Sequence, residues 1–172
     1  VCITGDLGAA YVGLQVLQRE KQVFLADPSM QPDLAPYQYM VQRQLKPEAR
    51  VDIIQELQKL QVTPTAMIDI TSGLTADILR LSQATQLGIT IYEDKLPVDR
   101  RTYETAVALN LDPVTCALHG WEDFELLFTI RQEDLPKVQQ LPQIQLLGHT
   151  EETTKDSFII TKEGKSIPLQ TH

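Results

Sequence analysis

The sequence predicts a single α+β domain in which strands and helices share one hydrophobic core. Three observations carry this. The chain has 172 residues, 42% of them hydrophobic, which suffices for one globular core and is too little for two comfortable domains. Short β-compatible runs at 1–5, 66–70, 89–92 and 124–130 alternate with longer stretches of helical periodicity. The chain also closes on S-F-I-I-T and S-I-P-L around K-E-G-K, where Glu163-Gly164 fits a hairpin turn.

Taken in order, residues 1–5 read as a strand and 8–21 as a helix, with Ala10, Leu14 and Leu17 inward and Gln18, Arg19, Glu20 and Lys21 toward solvent. The Gly5-x-x-Gly8 turn between them can offer N–H groups to an anion. It lacks the lysine and length of a P-loop, so an ordinary strand-to-helix turn is the simpler reading. Residues 26–36, with Pro28, Pro32 and Pro36, form a surface connection, and a helix follows at 35–45 until Lys46-Pro47 stops it. The next helix covers 48–61, its core stripe assigned to Val51, Ile54, Leu57 and Leu60. Pro64 biases Thr63 toward an extended conformation and leads into a central strand. A helix over 73–86 is closed by Gly88, a strand follows at 89–92, and 98–110 is helical with Val107 and Leu109 inward until Asp112-Pro113 breaks the pattern. After the strand at 124–130 come a short helix beyond Gln132, a strand at 144–148 and the hairpin.

The composition narrows the function. Fifteen basic residues against 23 acidic ones give a net charge of −8, which argues against a nucleic-acid or anionic-membrane surface but leaves room for an anion that arrives with its own metal. Cys2 and Cys116 lie far apart without metal-ligand spacing, the pattern of reduced thiols in a cytoplasmic protein. No apolar run approaches the roughly 18 residues that a membrane span requires. Because Val1-Cys2-Ile3-Thr4 begins at full stride in a strand, the expectation is a piece of a longer protein whose upstream part has been cut away.

The stretch Ala66 to Asp77, A-M-I-D-I-T-S-G-L-T-A-D, carries the most chemistry. Met67, Ile68 and Ile70 stop at Thr71-Ser72-Gly73, after which Leu74, Ile78 and Leu81 fall at helical spacing. A helix start of this kind favours phosphate or carboxylate oxygens through its unpaired N–H groups and dipole. Asp69, at the strand's end, would repel a phosphate unless a divalent cation stood between them, as Mg²⁺ does in phosphoryl-transfer sites. The plainer alternative makes Thr71 or Ser72 an N-cap and Asp69 a turn acceptor.

A second informative stretch is Cys116 to Thr129, C-A-L-H-G-W-E-D-F-E-L-L-F-T, in which Glu122 and Asp123 sit at a strand entrance. Adjacent acids there are usually solvated, but these follow Trp121, the chain's one tryptophan. An exposed indole beside carboxylates seats a cationic heteroaromatic ligand; a partly buried one is packing. His119 has no Ser, Cys or Asp partner at catalytic spacing and reads as a surface histidine.

The ordered motifs V-x-I-T-G-D-L-G-A-A, L-K-P-E-A-R, A-M-I-D-I-T-S-G-L-x-x-D and A-L-H-G-W-E-D-F-E-L-L-F-T resemble the C-terminal half of the thiamine-monophosphate kinase family, within the AIR synthetase-related superfamily. The resemblance covers nearly all of the chain. It implies an α/β sandwich with mixed sheet covered by helices, and a homodimeric parent that uses ATP and Mg²⁺ to convert thiamine phosphate to thiamine diphosphate. The family's N-terminal domain, which makes most of the dimer interface and supplies several metal-binding aspartates, would be absent, leaving this half inactive alone.

Residue by residue, the resemblance implies that Asp69 binds Mg²⁺ and that Thr71 stands where the family places a serine near the ATP phosphates. Gly73 opens the helix, Glu122 helps hold thiamine phosphate, and Asp123 lies beside it. Three departures matter. Ser72 replaces a second metal-binding aspartate, Trp121 replaces the second of two glycines, and the chain stops at His172 before the family's aromatic C-terminus. Alternatives are a sister enzyme of the superfamily with another acceptor, or a non-catalytic binder of thiamine phosphate or nucleotide, which Ser72 keeps open.

Overall fold

The computed structural model describes residues 1–152 and 156–170. Its architecture is α+β, with two four-stranded sheets. The first runs in the order β2 (Ala66–Asp69), β4 (Leu126–Thr129), β1 (Cys2–Thr4), β5 (Ile144–Leu146) and is antiparallel throughout. The second runs β6 (Gly148–Glu151), β3 (Gly88–Tyr92), β7 (Phe158–Ile160), β8 (Ser166–Pro168), with one parallel pair, β3 and β7. The helices are α1 (Ala9–Ala26), α2 (Gln38–Leu45), α3 (Val51–Lys59), α4 (Leu74–Thr85), α5 (Arg100–Ala108), α6 (Pro113–His119) and α7 (Leu135–Val138).

Alternation along the first sheet separates two cores. Cys2, Phe128 and Met67 stand opposite one another across the strands and pack with Ile53 and Leu57 of α3. Ile3, Leu127 and Ile68 point to the other face, joining Leu74, Ile78 and Leu81 of α4 and Ile89, Ile91 and Ile159 of the second sheet. A third cluster holds α1, α2, α5 and α6 together around Val12, Met40, Ala106 and Cys116. Cys2 and Cys116 are both buried free thiols. Among the described residues no helix is long and apolar enough to cross a membrane.

The strand expected at 144–148 is divided between the two sheets. The Leu147 N–H donates to the Val1 carbonyl at 2.9 Å, beside the first sheet, while its own carbonyl accepts from Tyr92 N–H at 3.0 Å, beside the second. Gly148 permits the crossing, because a Cβ there would fall 1.9 Å from the Thr90 carbonyl oxygen. The closing hairpin pairs as expected, with Gly164 at φ 79° in its turn. The strand at 66–70 is an edge strand, not a central one, because β4 inserts between it and β1.

Several helices differ from expectation in detail. α1 continues to Ala26, since nothing breaks it before Asp27-Pro28, and it buries Val12 and Val16 instead of Leu14 and Leu17. In α3 the buried residues are Ile53 and Leu57, with Leu60 packed beside them, while Val51 is 56% exposed. A spacing of three lags by about 60° per step at roughly 100° per residue, so Val51 and Leu60 lie on opposite sides of one helix. In α5 the buried residues are Thr102, Thr105 and Ala106, and Val107 faces solvent. Asp112-Pro113 starts α6: Asp112 Oδ2 accepts from Thr115 N–H at 2.8 Å, and the proline occupies the first turn.

Ile53→Ala should cost about 2–5 kcal/mol in urea unfolding, whereas Val51→Ala should stay within about 0.5 kcal/mol of the parent. Equal losses would contradict this assignment of the buried face.

Candidate functional site

The stretch at 69–73 and the E-D-F-E loop lie side by side at one end of the first sheet. Phe124 N–H donates to the Ile70 carbonyl (2.9 Å), Ile70 N–H to the Glu125 carbonyl (2.8 Å) and Glu122 N–H to the Thr71 carbonyl (3.1 Å). Glu122 and Phe124 both have positive φ, 64° and 53°, a conformation that side chains other than glycine adopt only when surrounding structure enforces it. The consequence is an alternation in which Glu122 is exposed, Asp123 buried, Phe124 half-buried and Glu125 buried.

The enforcement is electrostatic. The Glu125 carboxylate, 1% exposed, receives Arg43 at 2.8 Å, Arg50 at 2.6 Å and the Thr4 hydroxyl at 2.5 Å. Arg43 also donates to the Asp123 carbonyl at 3.0 Å. Thr4 Oγ1 accepts from Leu126 N–H at 2.8 Å, joining the loop to β1. Gly5, at φ 57°, lies directly under this carboxylate: a Cβ there would come within 2.1 Å of Glu125 Oε1. Arg43, Arg50, Glu125 and Thr4 were not singled out from the sequence.

Asp123 turns inward. Its carboxylate accepts from Gly8 N–H at 2.8 Å and Ala10 N–H at 3.4 Å, so the anion at the Gly5-x-x-Gly8 turn is the protein's own. The side chain, expected beside a ligand, is 2% exposed and spends its oxygens on these amides. Burial pushes its carboxyl up to about 7, against the pull of the Gly8 and Ala10 amides and of Arg43.

Asp69 is exposed, and its carboxylate has no hydrogen-bond or ion-pair partner among the described residues. It lines a cleft of about 300 Å³ with Pro47, Glu48, Ala49, Arg50, Phe124 and Leu126. The L-K-P-E-A-R and E-D-F-E motifs thus meet around Asp69. Larger grooves of about 590 and 650 Å³ lie elsewhere, lined in part by Gln18 and Arg19 and by Arg131 and Lys137 respectively.

Neither Thr71 nor Ser72 caps α4. The residue before the helix is Gly73, at φ 99°, and the buried Asp77 carboxylate reaches back to accept from Thr71 N–H and Ser72 N–H, both at 2.9 Å. Those two amides are therefore engaged, while both hydroxyls lack a partner among the described residues. Gly73 is needed for close approach, since a Cβ there would meet the Gly120 carbonyl oxygen at 3.1 Å.

Trp121 is 43% exposed and meets Tyr11 edge-on, ring centroids 5.0 Å apart. One edge of the ring packs while much of the indole remains in solvent. His119 ends α6, half-buried, on the wall of a separate cavity of about 330 Å³ that also contains Thr75 and Leu169. His172 lies outside the described residues. Among the described residues no three His, Cys, Asp or Glu side chains group to hold a metal. Asp69 and Ser72 alone therefore provide one carboxylate and one hydroxyl.

No protein-family model matches the chain. Among curated proteins it is 35% identical over 133 residues to a thiamine-monophosphate kinase of Aquifex aeolicus (strain VF5), spanning 77% of this chain and 40% of that protein. It is 32% identical over 168 residues to a thiamine-monophosphate kinase of Pyrococcus abyssi, spanning 97% of this chain and 46% of that one. Among solved structures, AaThiL complexed with AMPPCP and TMP superposes with a TM-score of 0.76 at 27% identity, over 99% of this chain and 50% of that chain. The chain spans about half the length of the relatives it matches.

Glu125→Gln removes the counter-charge of Arg43 and Arg50 while preserving shape, and should cost about 3–5 kcal/mol in chemical denaturation, the range for breaking a buried pair. Asp123 predicts a pH effect. Its carboxyl is raised from 3.8 to about 7 on folding, so its contribution to stability is fully present below 3.8 and is lost as pH rises through about 7. Asp123→Asn should therefore lose less stability than the parent between pH 5 and pH 8, measured as urea midpoints in one buffer series.

Proposed function

Because the chain belongs to the thiamine-monophosphate kinase family, we propose that it is the C-terminal, substrate-binding half of a kinase that uses ATP and Mg²⁺ to phosphorylate thiamine phosphate to thiamine diphosphate. The observation that carries the reading is the exposed, unpartnered Asp69 carboxylate at the cleft where the L-K-P-E-A-R and E-D-F-E motifs meet. An acid without a protein partner at the end of a strand is available to a ligand, whereas the neighbouring Asp77, Asp123 and Glu125 are consumed internally.

Mg²⁺ in phosphoryl-transfer sites is commonly held by one or two carboxylates together with phosphate oxygens. The donor set fits such a shared site: Asp69 would supply the carboxylate and Ser72, three residues on, a hydroxyl. When bound, the ion neutralises charge on the phosphates. The chain's residues do the positioning. Thr71 offers a hydroxyl toward the ATP phosphates, Glu122 offers a carboxylate to the cationic thiamine moiety, and the exposed part of Trp121 offers a stacking surface beside it.

In this reading the remaining metal ligands and most of the ATP site belong to an N-terminal domain, the intact protein is a cytoplasmic homodimer, and residues 1–172 alone do not turn over. Ser72 favours one second reading, a homologue that binds thiamine phosphate or nucleotide without catalysis, because the local metal site has one charge fewer than the family pattern.

The test is formation of thiamine diphosphate by the full-length protein with thiamine phosphate, ATP and Mg²⁺. The parent should turn over, Asp69→Asn should lose about 100-fold or more in kcat, as when a transition-state charge contact is removed, and residues 1–172 alone should form no product. Activity seen only after Ser72→Asp would instead support the binding homologue, and silence from parent and variant alike would exclude the substrate.

A further inference from the structure

Helix α2 touches the E-D-F-E loop through two consecutive residues. Arg43 holds the Asp123 carbonyl and the Glu125 carboxylate, as described above. Gln44 holds the next acid outward: its Nε2 donates to Glu122 Oε2 at 3.2 Å. Glu122 is exposed and sits at φ 64°, so its backbone is constrained by the loop while its side chain would be free to rotate in solvent without this contact. The other end of the amide points inward. Gln44 Oε1 is buried and meets no donor among the described residues.

We infer that Gln44 is a positioning residue, fixing the Glu122 carboxylate in the orientation in which it receives the cationic, nitrogen-bearing ring of the substrate. The inference rests on the reading above that Glu122 faces thiamine phosphate. Arg43, one residue earlier, gives one terminal nitrogen to three acceptors, the Asp6 and Asp123 carbonyls and the Glu125 carboxylate, although its Nε is also buried without a partner among the described residues. Gln44 gives its donor to an exposed carboxylate and leaves its acceptor buried, an arrangement that gains little stability. What it does gain is a defined direction for Glu122. The ionised carboxylate in turn selects the amide orientation, since a flipped Gln44 would present Oε1 to Glu122 oxygen.

The contact also relates recognition to the buried clamp. Glu122 is reached from α2 by Gln44, and the same helix is anchored one residue earlier to Glu125. The carboxylate offered to the substrate is thereby referenced to the rigid part of the domain instead of to its own mobile side chain.

The experiment compares the parent, Gln44→Met, Glu122→Gln and the double variant in the full-length enzyme. Methionine keeps the length of the side chain and removes both polar ends. Gln44→Met should raise KM for thiamine phosphate by about 3- to 10-fold, the scale of one lost orienting hydrogen bond, and leave kcat, KM for ATP and the melting temperature near those of the parent. In the Glu122→Gln background the same replacement should add little. An unchanged KM, an equal effect with and without the Glu122 carboxylate, or a loss of melting temperature that accounts for the loss of activity would overturn the inference. A parent that neither binds nor phosphorylates thiamine phosphate would count against the proposed substrate instead. The Gln44 side-chain amide signals in the NMR spectrum then decide the contact itself: they should move on Glu122→Gln, and signals that stay in place would overturn it.

Discussion

A carboxylate can be kept almost dry in this protein because two guanidinium groups and a hydroxyl converge on it. Glu125 is reached by Arg43 from α2, by Arg50 from the start of α3 and by Thr4 from β1, so three separate stretches of chain are brought to one point at the mouth of β4. The two arginines offset the cost of taking the carboxylate out of water, and each arm becomes a positional constraint. The cleft follows from this geometry. Arg50 lies on the same wall as Asp69, and the loop that ends at Glu125 begins at Trp121 and Glu122.

The domain divides its acids by the direction of the backbone. Positive φ at Glu122 and Phe124 accompanies an alternation that sends Asp123 and Glu125 into the protein while Glu122 faces out. Asp77 behaves like Asp123: each is a buried carboxylate that accepts amide hydrogens at a turn preceding a helix. The helix starts that resemble anion sites in sequence are thus closed in part by the chain's own anions. Asp69, Glu122 and part of Trp121, by contrast, are exposed to solvent.

Much of this was legible in the sequence where one local signal dominated. The passage from apolar strand to glycine to periodic helix at 66–85 was clear because strand and helix periods differ sharply and Gly73 marks the change. The start of α6 was misread because Asp-Pro serves equally as a terminator and as an N-cap followed by a first-turn proline, and only Thr115, two residues beyond the proline, distinguishes the two. The division into two sheets left no local mark apart from Gly148, whose reason is a close approach to Thr90 from a distant strand. The Glu125 clamp was invisible for a similar reason: Arg43, Arg50 and Glu125 each look like solvated charges, and their pairing spans up to 82 positions of sequence. The resemblance singled out E-D-F-E and L-K-P-E-A-R, but which acid faces outward depends on φ values that a residue-type pattern does not carry.

The place of β1 in the first sheet has a consequence for how the polypeptide is made. Cys2–Thr4 lies between β4 and β5, and its residues find their partners at 127–128 and 144–146. During synthesis this strand leaves the ribosome before the other seven described strands, and neither of its neighbours exists until most of residues 5–146 have followed. The joint at Leu147, which bonds Val1 on one side and Tyr92 on the other, closes later still. Local helices can form on the way, but the sheet that carries the cleft must assemble late and almost at once, with a hydrophobic strand held unpaired in the meantime.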